Sequence, residues 1–278
     1  MNSNMQKITI VTVCYNAVNV LEKTIMSVLE QTYPNIEYII IDGASTDETP
    51  NIIKKYNDNI SFWSSEPDSG IYDAMNKGIR KSTGMWINFM NAGDTFSSSD
   101  TIEKMAHNLS DDYMVVYGNV IKCYEHYKIK DSGIKKMKID AIDFFLDGIN
   151  HQTAFIRKSM FDKYGLYDTK YRLASDWQFF MKVVGLGGEK AKYVDLDVAL
   201  FKMDGASTNY KNQYKYEQCA IQKHEYGKYY IYMEELSEYR KSDLLRILLK
   251  CRLYIKRIGL GHKIKTIFKL VTTFISKK

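Results

Sequence analysis

Polar stretches that contain carboxylates follow several apolar segments in the first hundred residues, and they are the first indication of chemistry. The apolar run Met85–Met90 is followed at once by Asn91-Ala-Gly-Asp94, which supplies one amide and one carboxylate. Similar stretches, rich in small residues, occur earlier at Tyr15-Asn16, Asp42–Asp47 and Glu66–Gly70. Such residues also populate ordinary turns. Four such polar stretches at one edge of a sheet would favour a ligand site.

The spacing of apolar residues predicts the elements that would bring these stretches together. Strands alternating with helices imply a mostly parallel sheet covered by helices on both faces, in which ligands bind beyond the carboxyl ends of the strands. The predicted strands are Lys7–Cys14, Ile36–Asp42, Ile60–Ser64 and Met85–Met90. The predicted helices between them are Val20–Gln31, one from Ser45 to about Tyr56, and Ile71–Lys81.

The rest of the chain has a less regular pattern. Tyr124–Gly133 is typical of a hairpin or loop, and Ile139–Leu146 of a short helix. The pattern predicts a helix over Ala174–Val184, with Ser175 or Asp176 near its start. Further strands are predicted at Tyr113–Lys122, His151–Arg157 and Lys192–Met203. We therefore expect an α/β domain over residues 1–210 and a C-terminal helical extension over residues 211–278.

The extension carries most of the positive charge. The net charge is +6, yet residues 240–278 alone hold twelve Lys or Arg and one acid. Apolar residues in 264–275 recur at helical spacing with lysines off that face, which favours a basic amphipathic helix at an anionic membrane surface. Packing on the main domain or on a second subunit of an oligomer is the alternative. Nucleic acid is not expected as a partner, because no recognition motif accompanies the charge.

Composition and the absence of several motifs exclude a number of protein classes. The four cysteines are dispersed, which argues against a disulfide framework or a zinc site and favours a reducing compartment. No apolar run approaches the roughly 20 residues of a membrane-spanning helix. The sequence contains no GxxxxGK[ST], HExxH or GxSxG, and no GxGxxG follows the first strand. Phosphates beside carboxylates would need a divalent cation, and Mg²⁺ takes one or two protein carboxylates with phosphate oxygens.

Several segments of the chain, taken in their order and spacing, resemble family 2 of the nucleotide-sugar glycosyltransferases, which are inverting enzymes with the GT-A fold. The resemblance covers roughly residues 7–205. In detail, the chain is similar to bacterial enzymes of O-antigen, lipopolysaccharide or capsule biosynthesis. It is carried by Thr12–Asn16, Tyr38–Asp47, Ser65–Gly78, Thr83-Gly84 and Phe89–Asp94. It implies a sugar donor carrying a nucleoside diphosphate, with a UDP-sugar favoured, and Mn²⁺ or Mg²⁺ as cofactor.

The resemblance also implies roles for individual residues. Asp42 would accept a hydrogen bond from the base, Thr12 and Tyr15 would line the base pocket, and Lys77 would contact the pyrophosphate. Asn91 and Gly93 stand at the two positions of the family's Asp-x-Asp metal motif, so Asp94 is expected to be the metal ligand and Asn91 to contact ribose, or metal through water. The other residues expected at the donor are Asn16, Ser45, Asp68, Asn76, Ala92 and Gly93.

Asp176 matches the catalytic base of the family, which takes the proton of the acceptor hydroxyl. As an acid near a helix start it also suits an N-cap. His151, Gln152 and Trp177 would lie on the acceptor side, although His151 suits a structural role equally well. The expected protein is a hexosyl- or N-acetylhexosaminyl-transferase acting on a lipid-linked or growing surface polysaccharide, peripherally bound at the cytoplasmic face of the membrane. A non-catalytic nucleotide-sugar or glycan-binding module, and a nucleotidyltransferase, are the alternatives.

Overall fold

The structure, a computed structural model, describes residues 5–203 and 211–241. The basic segment 240–278 lies outside these ranges apart from its first two residues. Within the described ranges, no helix is both long enough and apolar enough to cross a bilayer. The chain divides into two compact units between Gly227 and Lys228.

The first unit is built on a nine-stranded sheet, counted over the described residues. Its strand order is β3-β2-β1-β4-β8-β6-β9-β5, and β7 pairs with β6 outside this path. The strands are β1 (Ile8–Cys14), β2 (Ile36–Asp42), β3 (Phe62–Ser65), β4 (Trp86–Phe89), β5 (Thr95–Phe96), β6 (Val115–Cys123), β7 (Lys128–Asp131), β8 (Phe155–Arg157) and β9 (Ala191–Lys202).

The first four strands form the parallel part of this sheet, as the alternation of strands and helices predicts. β1 lies between β2 and β4, and β2 pairs with β3, each time in parallel. Every residue of β1 is buried, as expected where helices cover both faces of a parallel sheet. The register pairs Cys14 with Asp42 and Asp42 with Ser65, which brings the carboxyl ends of three strands level.

The other half makes the sheet mixed rather than purely parallel. β8 runs antiparallel to both β4 and β6, and β5 runs antiparallel to β9. β6 and β9 are parallel, with an irregular register near Asn119. The segment expected as a hairpin or loop contributes β7, antiparallel to β6. The strand predicted at His151–Arg157 is wrong in its first half, because His151–Thr153 is a 3₁₀ turn and only Phe155–Arg157 pairs.

The helices include several that the sequence pattern did not predict. Within the described residues they are α1 (Leu21–Leu29), α2 (Thr49–Lys55), α3 (Ile71–Lys81), α4 (Thr101–Ala106), α5 (Ser159–Tyr164), α6 (Ser175–Phe180), α7 (Lys211–Tyr226) and α8 (Tyr230–Lys241). The helix predicted over Ala174–Val184 is α6 followed by a π-helix at Met181–Leu186. The helix predicted at Ile139–Leu146 is a 3₁₀ turn at Asp143–Phe145. α4, α5 and β5 are too short to show a hydrophobic period.

The helix α7 belongs to the first unit, which ends at Gly227, and it packs against α6. The helix α8 belongs to the second unit.

A buried carboxylate fastens the amino ends of the parallel strands. Glu37, at the start of β2, is 7% exposed and accepts hydrogen bonds from the hydroxyls of Thr9 and Thr83 at 2.6 Å. It also accepts the backbone N–H of Thr83 at 2.7 Å, and Lys7 Nζ lies 3.1 Å away. Burial acts to raise the pKa of Glu37, but these donors outweigh it and lower the pKa to about 2. Charge-assisted bonds in a buried site thus tie β1, β2 and the turn before β4 together.

We predict that Glu37→Gln destabilises the protein by about 2 kcal/mol at pH 7. Because the pKa of Glu37 falls from 4.5 unfolded to about 2 folded, its contribution is complete above pH 4.5 and is lost as the pH falls toward 2. Urea unfolding of wild type and variant between pH 7 and pH 3 measures the difference. Glu22→Gln, at an exposed pair with Lys55, is the control and should cost little. Equal unfolding free energies for wild type and Glu37→Gln at pH 7 would contradict this prediction.

Candidate active site

The loop after β2 is organised around the carboxylate of Asp42. This side chain is fully buried. It accepts the N–H of Ser45 at 3.0 Å and the hydroxyls of Ser45 and Ser65 at 2.5 and 2.6 Å. Asp42 therefore fixes the loops after β2 and β3, and its oxygens are engaged within the protein rather than turned toward a base.

Thr12 likewise differs from the expectation that it lines the base pocket. It is fully buried, and its hydroxyl lies 2.7 Å from the carbonyl oxygen of Met90, to which it donates, and 3.0 Å from the hydroxyl of Tyr38. Asn76 is buried as well, and its amide both donates to the carbonyl of Tyr167 at 2.9 Å and accepts its N–H at 3.0 Å. Both residues brace the core beneath the site. The sequence did not show which way their side chains point.

Exposed residues at the same edge form a surface that a ligand can reach. The ring of Tyr15, after β1, is 64% exposed and lies beside Gly43, where a Cβ would come within 3.5 Å of its Cδ2. The same Cβ would clash with Asp68 Oδ2 at 2.5 Å, so Tyr15, Gly43 and Asp68 are neighbours. Asn16 shapes this loop with φ of +48°, and its Oδ1 accepts the N–H of Thr46 at 2.9 Å.

Lys77 supplies a positive charge next to this surface. Its Nζ donates to the carbonyl of Pro67 at 2.7 Å and lies 3.5 Å from Glu66. Asp68 in the same loop accepts the N–H of Gly70 at 2.9 Å. Lys77, which the resemblance implies would contact the pyrophosphate, therefore has its ammonium group at the loop after β3, close to the carboxylates of that loop.

The turn after β4 carries Asn91 and Asp94. The N–H of Asp94 donates to the carbonyl of Asn91 at 2.9 Å, and Gly93 has φ of +102°, which favours glycine. Thr24 on α1 locks the turn, since its hydroxyl donates to the carbonyl of Asp94 at 2.7 Å and accepts the N–H of Gly93 at 3.0 Å. Asp94 is only 5% exposed. Ala92 is tied to β1 through its N–H, which donates to the carbonyl of Val13 at 3.1 Å.

Asp176 is joined to this turn through His151. His151 Nδ1 lies 2.8 Å from Asp176 Oδ2, and its Nε2 lies 3.2 Å from the side-chain nitrogen of Asn91. Asp176 Oδ1 accepts the hydroxyl of Tyr72 at 2.7 Å and the N–H of Trp177 at 2.8 Å. Segments more than a hundred residues apart thus meet at one carboxylate, and Asn91 and Asp176 lie on opposite sides of a single imidazole ring.

The charges of this group depend on one another. Burial acts to raise the pKa of Asp176, but the hydrogen bond and charge of His151, with the donors Tyr72 and Trp177, hold it below its ordinary value. Burial acts to lower the pKa of His151, but the hydrogen bond and charge of Asp176, and then the charge of Asp94, raise it. Asp176 is therefore held as a carboxylate, and it raises the pKa of the imidazole beside it.

Residues that hold this network were not all singled out by the sequence. Asn88, a polar residue inside an apolar strand, donates to the carbonyls of Gln152 and Ala154, both at 3.0 Å, and so fixes the turn that carries His151. A lone amide in such a run was the signal that could have found it. Gln152 is 7% exposed. Trp177, expected on the acceptor side, is 3% exposed, packs against Phe144 and lies against Gly148.

Oxygen atoms suited to a divalent cation lie at the turn after β4. Among the described residues, no group of three or more His, Cys, Asp or Glu is placed to hold a metal ion. Asn91 Oδ1 is buried and has no hydrogen-bond partner within that part of the chain. Together with the Asp94 carboxylate it would offer two oxygen donors. That number fits Mg²⁺ or Mn²⁺ if diphosphate oxygens and water complete the coordination.

Comparison with solved structures places the fold. S. aureus TarS 1-349 in complex with UDP-GlcNAc matches with a TM-score of 0.64 at 14% identity, over 90% of this chain and 77% of that one. The mannosyltransferase PcManGT from Pyrobaculum calidifontis, in complex with GDP-Man and Mn²⁺, matches with a TM-score of 0.61 at 14% identity, over 98% and 86%. The protein therefore has the GT-A type of glycosyltransferase fold, as the resemblance implied.

Sequence comparison then defines the family. Residues 9–165 match the family model described as glycosyl transferase family 2. A PGL/p-HBAD biosynthesis glycosyltransferase of Mycobacterium bovis (strain BCG / Pasteur 1173P2) is 30% identical over 202 residues, which are 70% of this chain and 76% of that protein. An uncharacterized glycosyltransferase of Rickettsia prowazekii (strain Madrid E) is 29% identical over 188 residues, 63% of this chain and 58% of that protein. The chain belongs to glycosyl transferase family 2.

Proposed function

We propose that this glycosyltransferase inverts the anomeric centre as it moves a hexosyl or N-acetylhexosaminyl group from a nucleoside diphosphate sugar to a hydroxyl of a lipid-linked or growing surface saccharide. The observation that carries the proposal is the position of Asp176. Its carboxylate is held by His151 and Tyr72, and the same His151 ring contacts Asn91 in the turn after β4. An inverting transfer needs a base on the acceptor side and charge stabilisation on the leaving-group side.

The lone pairs of Asp176 support its role as the base. Oδ1 accepts two hydrogen bonds, from Tyr72 and Trp177, whereas Oδ2 accepts one, from His151. A carboxylate oxygen has two lone-pair sites, so Oδ2 keeps one for the acceptor hydroxyl. In the single displacement, the acceptor oxygen forms its bond to the anomeric carbon, the bond to the diphosphate oxygen breaks, and the acceptor proton moves to Oδ2.

The loops after β1 to β4 would bind the donor. The exposed ring of Tyr15 suits stacking on a base, and Asn16, Ser45 and Asp68 shape the loops around it. TarS was solved with UDP and UDP-GlcNAc, and PcManGT with GDP-Man, which supports a nucleotide-sugar donor here. We favour a UDP-sugar. Lys77 would neutralise part of the diphosphate charge.

Asp94 and Asn91 Oδ1 would hold a divalent cation, Mn²⁺ or Mg²⁺, together with the diphosphate. PcManGT was solved with Mn²⁺, which supports this assignment. A bound cation supplies stabilisation of the negative charge that develops on the leaving diphosphate. The hydrogen bonds of Thr24 keep the turn, and with it the Asp94 side chain, in one place.

The proposed location is the cytoplasmic face of the cell membrane. A lipid-linked acceptor would make attachment there useful, and residues 240–278 provide twelve basic side chains. Each basic residue near an anionic surface contributes about 1 kcal/mol.

Replacing Asp176 by Asn should lower turnover about 10²- to 10⁴-fold, because an amide cannot accept the acceptor proton. Donor affinity should stay within about threefold, since Asp176 does not bind the nucleotide. A thermal-shift panel of UDP-glucose, UDP-galactose, UDP-GlcNAc and GDP-mannose with Mn²⁺ selects the donor. Release of the nucleoside diphosphate then gives turnover, and calorimetry gives affinity. Unchanged turnover, or an equal loss of turnover and affinity, would remove Asp176 from this role.

Replacing Asp94 by Ala should weaken UDP binding about tenfold or more when Mn²⁺ is present, by removing the proposed metal ligand. Without Mn²⁺ the two proteins should bind UDP alike. Calorimetry with and without Mn²⁺ measures both cases. Asp100→Ala, at an exposed pair with Lys104, is the matched control. If Mn²⁺ strengthens UDP binding to Asp94→Ala as much as to wild type, Asp94 is not a ligand.

Deleting residues 240–278 should abolish binding to vesicles that contain phosphatidylglycerol, because the basic segment is then absent. Sedimentation with vesicles of phosphatidylcholine alone is the control, and neither protein should bind them. A truncated chain that still sediments with the anionic vesicles would refute the membrane assignment.

A further inference from the structure

A carboxylate on α7 holds the backbone that leads into α6. Glu217 Oε2 accepts the N–H groups of Leu173 and Ala174 at 2.8 and 3.1 Å, and Oε1 accepts that of Arg172 at 3.2 Å. The amide of Gln213, one turn earlier on α7, donates to Oε1 at 3.1 Å. Glu217 is 8% exposed. One buried carboxylate thus receives three consecutive backbone N–H groups just before the helix of Asp176.

These bonds determine the path of the chain next to Asp176. Ala174 immediately precedes α6, and no side-chain cap closes the amino end of this helix. Bonds to an ionised acceptor are about twice as strong as neutral ones. Because Asp176 follows Ala174 by two residues, a shift of the Arg172–Ala174 backbone would move the carboxylate relative to His151 and Tyr72.

Other residues of α7 contact α6 and the segments near it. Glu225, two turns further along α7, accepts the side-chain amide of Gln178 at 2.9 Å and lies 3.3 Å from Lys182 Nζ. The hydroxyl of Tyr226 donates to the carbonyl of Ala141 at 2.9 Å. Tyr214 lies close to the site, since burial and then the negative charge of Asp176 raise its pKa.

We propose that Glu217 is a positioning residue for Asp176: through the N–H groups of residues 172–174 it sets the place of the base relative to the bound sugar. The inference rests on the proposed role of Asp176. It assigns a part in the reaction to α7, which lies beyond the family-model match at residues 9–165. Glu217 touches neither substrate nor metal, and it acts through the backbone alone.

Glu217→Gln tests this directly, with Glu225→Gln as the matched control. A Gln side chain has one oxygen for three N–H groups and turns an NH₂ toward the others, so the loop shifts. Glu225 is on the same helix, but its partners are the side chains of Gln178 and Lys182 rather than the backbone of residues 172–174. We expect Glu217→Gln to lower kcat about 10- to 100-fold, since small misplacements of a reacting group cost this much. Its donor KM should stay within about twofold. Glu225→Gln should keep the wild-type kcat with a similar fall in Tm.

Turnover is the release of the nucleoside diphosphate from the donor selected by the thermal-shift panel with Mn²⁺, measured on the full chain. Should Glu217→Gln fail to fold, Gln213→Ala loosens the same carboxylate and should lower kcat about threefold. Either of two results overturns the inference. The first is a folded Glu217→Gln variant with the wild-type kcat, and the second is an equal loss of kcat in Glu217→Gln and Glu225→Gln at equal Tm. Asp176→Asn, assayed alongside, separates the two claims. If Asp176→Asn is inactive while Glu217→Gln is fully active, only the positioning role of Glu217 fails. If Asp176→Asn is active, the base role of Asp176 and the positioning role of Glu217 both fail.

Discussion

The hydrogen bond between His151 and Asp176 is the interaction on which the site depends. It joins α6 to the turn before β8, and through Asn91 it reaches the parallel half of the sheet. A buried carboxylate without partners would be costly, and breaking a buried pair is strongly destabilising. Tyr72 adds a second donor from α3. His151 therefore links a polar side chain of the parallel half of the sheet to the carboxylate of α6.

This arrangement separates two electrostatic tasks. Under the proposed function, Asp94 would hold the cation that binds the diphosphate, whereas Asp176 would remain ionised and accept a proton. His151 responds to both charges, because Asp176 and then Asp94 raise its pKa. The donors around Asp176 lower its pKa and so make it a weaker base. They also keep it ionised and fixed in orientation, and fixed orientation is a large part of what an enzyme contributes.

The sequence predicted the parallel half of the fold and the edge of the site, because buried parallel strands are continuous apolar runs and their polar ends are easy to locate. It could not show which side chains point inward. Thr12 and Asn76 were expected at the donor, yet both side chains are buried and donate to backbone carbonyls. Asn88 left a signal as an amide in an apolar strand. Glu217 left none, since its partners lie more than forty residues away and are backbone groups.

Under the proposed function, Asp94 and Asp176 serve one substrate from two sides of His151. A crystal structure of the protein with a nucleoside diphosphate sugar and Mn²⁺ tests this arrangement most directly. We expect the metal on the Asp94 carboxylate, the diphosphate against the turn after β4, and the anomeric carbon facing Asp176 Oδ2. A donor bound with its sugar directed away from Asp176, or with protein packed between them, would contradict it.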